Sequence, residues 1–163
     1  RQRRGFVCRT ASNTALSMAE FPPSAPGSPE EAEARFYEAL QQGDIARLMS
    51  AWAEDEEVVC VHPGWPRLIG TAAIRASYER MFAHGPVDVW PENTRRLQTG
   101  STAVHSVVER VGVLAAQGLR SVHVDATNVY AMTALGWRLV AHHASPNMAG
   151  EPVEAAPPSS AIH

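Results

Sequence analysis

The stretch "VVCVHPGWPRLIG", Val58 to Gly70, ends a β-branched run on the imidazole of His62 and then breaks into Pro-Gly-Trp-Pro. A strand-end histidine has two uses: a neutral structural ring satisfied by one backbone partner, or a base that accepts a proton near neutral pH. Val58, Cys60 and His62 share one face of that strand, and Val59 and Val61 share the other. Three further positions have comparable chemistry. Asn128 falls on the apolar side of a segment in which Val122, Val124, Ala126, Tyr130 and Met132 alternate with Ser121, His123, Asp125 and Thr127. An amide there bonds a neighbouring loop or faces a ligand, because leaving it unsatisfied costs roughly 1–3 kcal/mol. Glu109 stands among Val107, Val108 and Val111, and either points inward with His105 or outward to pair with Arg110 or Arg120. The pair His142-His143 cannot chelate one ion from a strand, since successive side chains point to opposite faces. By parity with Trp137, Leu139 and Ala141, His143 is the one expected to border a cavity.

The elements that must position these groups are readable from local signals. Ser28 as N-cap, Pro29 at the first helical position and Glu31 closing a capping box start a helix that Gly43 ends, with Phe36 and Leu40 on its inner side. Asp44 caps a second helix with an apolar stripe of Ile45, Leu48, Met49 and Trp52. A third begins at Thr71, carries Ile74, Tyr78, Met81 and Phe82 on one side, and stops at His84-Gly85-Pro86. The acidic turn 54–57 reads as a solvated corner. Strands are expected at 58–62, 87–98, 102–114, 119–132 and 136–144, with Gly-containing turns between the last four. Helices followed by an antiparallel sheet make an α+β domain.

Composition narrows the function classes. All fourteen Lys-plus-Arg residues are arginine, so lysine Schiff-base chemistry and the P-loop are excluded. A net charge of −3 with no basic, aromatic-interleaved stripe carries no nucleic-acid footprint, and no run approaches the ~18 apolar residues of a membrane span. Cys8 and Cys60 lie far apart and form no C-x-x-C, which suits a reducing cytoplasm and gives no metal ribbon. No H-E-x-x-H, G-x-S-x-G or G-x-G-x-x-G is present. The 163 residues suffice for one domain with tails. Residues 1–28 read as a disordered arm and Pro-rich linker, with Met18 a candidate start; 29–148 read as the folded domain and 149–163 as a disordered tail.

The order of elements, together with "ALQQGD", "HPGWPRLIGTAAIRASY" and "ATNVYAMTALGWRLVAHHASP", resembles the nuclear transport factor 2-like superfamily over about residues 29–147. The nearest branches are the ketosteroid isomerase-like and SnoaL-like proteins and the association domain of calcium/calmodulin-dependent kinase II. The resemblance implies a cone-shaped α+β fold, three N-terminal helices packed on a strongly curved, mainly antiparallel sheet, with one deep pocket for a small hydrophobic molecule. It also implies a homodimer or larger ring. Steroid isomerases carry an aspartate base before a proline at the end of the first strand, where this chain has His62. Their tyrosine on the first helix corresponds to Phe36, which cannot donate, and Tyr37, about 100° further round the helix, is not expected to substitute for it without a register shift. Their protonated aspartate on a late strand corresponds to Asn128, whose amide donates independently of pH. The kinase association domain has a pocket arginine near Glu109, and a carboxylate there inverts the preference toward cationic or hydroxylated ligands. Trp65 lines the pocket mouth or fills a gap in the core. Two functions follow. One is a cofactor-independent isomerase, dehydratase or cyclase with His62 as base, Asn128 as carbonyl polariser, and Phe36, Trp65, Tyr78, Glu109 and His143 around the ligand. The other is a non-catalytic ligand-binding or assembly module, to which the loss of a hydroxyl at Phe36 points.

Overall fold

A computed structural model of the chain describes residues 27–116 and 118–147. The expected N-terminal arm and C-terminal tail lie almost wholly outside the described residues. Three helices, α1 (Pro29–Gln42), α2 (Ile45–Ala51) and α3 (Thr71–Phe82), pack on one six-stranded sheet. Its strands are β1 (Val59–Val61), β2 (Leu68–Ile69), β3 (Val89–Thr99), β4 (Thr102–Ala115), β5 (Gly118–Thr133) and β6 (Gly136–Pro146), in spatial order β2-β1-β6-β5-β4-β3. All neighbours are antiparallel except β1 and β6, which run parallel, so the sheet is mixed but mainly antiparallel. The two-residue β2 has no counterpart among the expected strands; it exists by pairing Val59 with Ile69 and Cys60 with Leu68.

Local chemistry fixes the helix ends. The Ser28 hydroxyl accepts from the Glu31 N–H while the Glu31 carboxylate accepts from the Ser28 N–H, each at 3.2 Å. Gly43 closes α1 at φ 66°, a left-handed conformation that costs glycine nothing. Asp44 then accepts from the Arg47 N–H at 2.9 Å and starts α2 at once. The sheet curls because it is not regular: β3 breaks register against β4 between Glu92 and Arg95, where Asn93 sits at φ 48°, and β6 breaks register against β5 between Val129 and Tyr130.

The core lies in the hollow of the curl. Phe36, Leu48, Trp52, Ile74 and Tyr78 meet Cys60, Val107, Ala126, Tyr130 and Leu139 there. Phe36 is central, edge-on to Trp52 and to Tyr78 with 6.4 Å between ring centres in each case. Burying such a ring contributes about 1.5–3 kcal/mol. Among the described residues no helix is long and apolar enough to cross a membrane.

Candidate functional site

The pairing registers lay a polar row across the hollow face. Cys60 on β1 stands beside His142 on β6, His142 beside Asn128 on β5, Asn128 beside His105 on β4, and His105 beside Arg96 on β3. From Cys60 to His105 every member is buried.

Hydrogen bonds link the middle of this row to α1. The Tyr37 O–H donates to Glu109 Oε1 at 2.8 Å, and the Tyr37 oxygen accepts from Asn128 Nδ2 at 3.0 Å. Asn128 Oδ1 accepts from His142 Nδ1 at 2.7 Å. An amide oxygen can only accept, so His142 carries its proton on Nδ1 and keeps a lone pair on Nε2. The chain runs one way, His142 to Asn128 to Tyr37 to Glu109, and the Asn128 amide also reaches Tyr130.

Burial sets the charges. It pushes the Glu109 carboxyl up to about 7, against the opposing pull of the Tyr37 bond. It pushes His142 down to about 3, helped by the neighbouring His62 and His143. His62 also lies below its ordinary value, through burial. The phenols of Tyr37, Tyr78 and Tyr130 are pushed up, by burial first and then by nearby acids. Cys60 rises to about 12 and is no nucleophile.

His62 forms the second part of the site. Its Nε2 is 3.0 Å from the Ser77 hydroxyl on α3, and its ring meets Tyr78 edge-on at 5.0 Å and His142 at 6.4 Å. Cys60 Sγ lies 3.9 Å from both ring nitrogens and 3.8 Å from the Tyr78 oxygen. Trp65 stands edge-on to His62 at 6.1 Å and is 53 % exposed, so it belongs to the rim and not to the core. Asn128 and Glu109 on the sheet, His62 just past β1, and Phe36 and Tyr78 on the helices are all buried.

Two placements differ from the sequence expectation. His143 is exposed on the convex face and His142 is the buried one. Val129 pairs with Ala141 while Tyr130 pairs with Leu139, so Val140 is an extra residue that reverses the alternation beyond it. Tyr37, rather than Phe36, supplies a group to the polar chain; the hollow wraps far enough round α1 to bury both neighbours, and the 100° between them suffices to aim the phenol at Glu109. Ser77 and Glu33 had no spacing signal, since each is one of several polar residues on its helix. Among the described residues no group of three His, Cys, Asp or Glu side chains is disposed to hold a metal ion. Surface clefts of about 640 and 420 Å³ beside α2 and at the start of α1 are lined by none of these side chains.

Residues 30–149 match the family described as SnoaL-like domain. A proposed dehydratase of the NTF2-like family from Streptomyces avermitilis is 32% identical, with a TM-score of 0.66 over 74% of this chain and 94% of that one. A proposed calcium/calmodulin-dependent protein kinase type II association domain from Thiobacillus denitrificans is 35% identical, with a TM-score of 0.66 over 77% of this chain and 98% of that one. The CaMKII hub of S. rosetta, at 20% identity and a TM-score of 0.61 over 77% of this chain and 99% of that one, shares the fold. None of the curated proteins is significantly similar to this chain.

Proposed function

The chain belongs to the SnoaL-like domain family, within the NTF2-like proteins, and from that premise we propose that it is a cofactor-independent isomerase, dehydratase or cyclase. Its substrate is a small hydrophobic carbonyl compound held against the hollow face of the sheet. The observation that carries this reading is a buried His62, held below its usual pKa, beside a one-way hydrogen-bond chain that ends on a carboxyl titrating near neutrality. A ring kept neutral at pH 7 accepts a proton from the carbon next to a carbonyl. The Asn128 amide donates to the carbonyl oxygen as charge develops there, in exchange for one of its bonds to a tyrosine, and returning the proton to another carbon completes an isomerisation with no net change in protons. The relative from Streptomyces avermitilis described as a proposed dehydratase supports this class of chemistry. A reducing cytoplasm suits the free, buried thiol of Cys60.

The test is exchange of the acidic carbon-bound protons of steroid-like and polyketide-like enones in deuterated buffer. Wild type should exchange them and His62→Ala should not. An enone that binds without exchange at any pH would remove the catalytic reading and leave a binding protein.

A second reading, assembly, has its own observation. On the convex face the registers align Leu97, Val104, Val129, Ala141, Val59 and Ile69 in one row across all six strands, and every member is apolar. Leu97 is 65 % exposed and Ile69 51 %. A belt of this kind on an open sheet suits a homodimer through the outer face, and the similar protein described as a kinase association domain supports an assembling role. Val129→Asp should convert the dimer to a monomer in sedimentation; a wild-type monomer at micromolar concentration would refute the dimer.

A further inference from the structure

The hollow face buries two carboxylates, Glu33 at 5 % and Glu109 at 6 % exposure, and they are treated differently. Glu33 has a cationic or proton-donating partner on each oxygen: Arg96 Nη2 at 2.9 Å and His105 Nδ1 at 2.7 Å. Glu109 has one hydrogen bond, from a phenol, and no ion pair among the described residues. The two imidazoles nearest the polar chain, His62 and His142, are held toward their neutral forms by burial.

Around Glu109 stand the only three tyrosines of the chain. Its charge acts on Tyr37 from α1, Tyr78 from α3 and Tyr130 from β5, and on the Cys60 thiol from β1. A phenol or thiol is neutral or anionic, so none of the four supplies a compensating positive charge. The Tyr130 hydroxyl is itself buried, with the Asn128 amide beside it. A buried carboxylate without a cation is satisfied in one of two ways, by a proton or by a positive ligand.

We propose that the hollow-face site takes a hydrophobic ligand bearing an ammonium group, with Glu109 as its counter-ion among Tyr37, Tyr78 and Tyr130. The inference rests on the reading of this face as a small-molecule site and names the charge of what it binds. Binding of the cation displaces the proton that Glu109 holds near neutrality, so uptake of ligand releases a proton below pH 7.

The test uses three probes with one ring and different heads: benzylamine, benzyl alcohol and benzoate. Each is titrated into the full chain at pH 8 and followed at the imidazoles of His62 and His142 by NMR and by calorimetry. Benzylamine should bind at least tenfold more tightly than benzyl alcohol, and benzoate more weakly than either. The affinity for benzylamine should fall about tenfold for each pH unit below 7, as protons compete for Glu109. Glu109→Gln should bring benzylamine to the level of benzyl alcohol; should that variant not fold, the wild-type pH profile tests the same competition. Benzyl alcohol or benzoate binding as tightly as the amine overturns the charge assignment and leaves the site standing. So does an amine preference that survives in Glu109→Gln. If no probe shifts either imidazole, the small-molecule site falls and the charge assignment with it.

Discussion

Replacing Glu109 with glutamine should stabilise the fold at pH 8 by about 3 kcal/mol and leave it nearly unchanged at pH 4.5. Burial raises the carboxyl from 4.5 to about 7, so between those values the folded chain holds a proton that the unfolded chain has released. Stability from this group is therefore complete below pH 4.5 and is lost as pH rises through about 7. Each pH unit in that window is worth ~1.4 kcal/mol, and the span of two and a half units yields the figure above. Glutamine keeps the shape and an oxygen to accept from Tyr37 while carrying no charge to desolvate.

Unfolding curves of the wild type alone would conceal this. His142, pushed from 6.5 to about 3, contributes stability that is present above pH 6.5 and lost as pH falls toward 3. His62 is displaced in the same direction and adds to that side. From pH 4.5 to 6.5 the slopes of Glu109 and His142 oppose and nearly cancel. The difference between variant and wild type, measured by urea unfolding at pH 5, 6, 7 and 8, removes the histidines and isolates Glu109. A difference that stays flat over that range would refute the buried, unpaired carboxylate, and the argument built on it.

Tyr37→Phe removes the one group bonded to both Glu109 and Asn128; it should cost roughly 1–3 kcal/mol at pH 7 in urea unfolding and raise the Glu109 midpoint further, since the phenol opposes the upward shift. An unchanged unfolding midpoint would show the bonds to be replaceable by water. In an NMR titration the His62 imidazole should change charge below pH 6.5, and a midpoint above that value would mean that a carboxylate rather than burial governs the ring. A chain trimmed to residues 28–149 should melt with the full-length protein, because neither flanking segment has periodic apolar content; a large loss would show that one of them docks.

The helix ends were legible in the sequence because capping is settled within four residues: Ser28 with Glu31, Gly43 with Asp44. The inward parity of Asn128 and the shared face of His62 with Cys60 were legible because a strand alternates until something interrupts it, whereas the alternation left Glu109 open between the two faces. The interruptions were the illegible part. The extra residue at Val140 has no composition that marks it, since it is fixed by how β6 meets β5, and it exchanges the roles of His142 and His143. Tyr37 was equally hidden. One helical turn offers several inward directions, and the breadth of the buried stripe depends on how far the sheet curls round the helix, which is decided by the bulge at Asn93 on β3. The strand β2 has two residues and is defined by its partner alone.

The position of α1 connects fold and chemistry. Glu33 and Tyr37 lie one turn apart on the same side of the helix, and each bonds an inward side chain of β4: Glu33 to His105 at 2.7 Å, Tyr37 to Glu109 at 2.8 Å. The first contact carries a partner on each carboxylate oxygen, Arg96 and His105, and serves to hold the helix. The second contact is then placed by the first, and it has no cation of its own. Asn128 joins it to His142 through an amide that does not titrate, so the tautomer of His142 is held while the charge of Glu109 changes near neutral pH. A site whose scaffold bonds are already satisfied can lose or gain one charge without rearranging the helix that supports it, and this is why the lone carboxylate is the group whose replacement separates binding from folding.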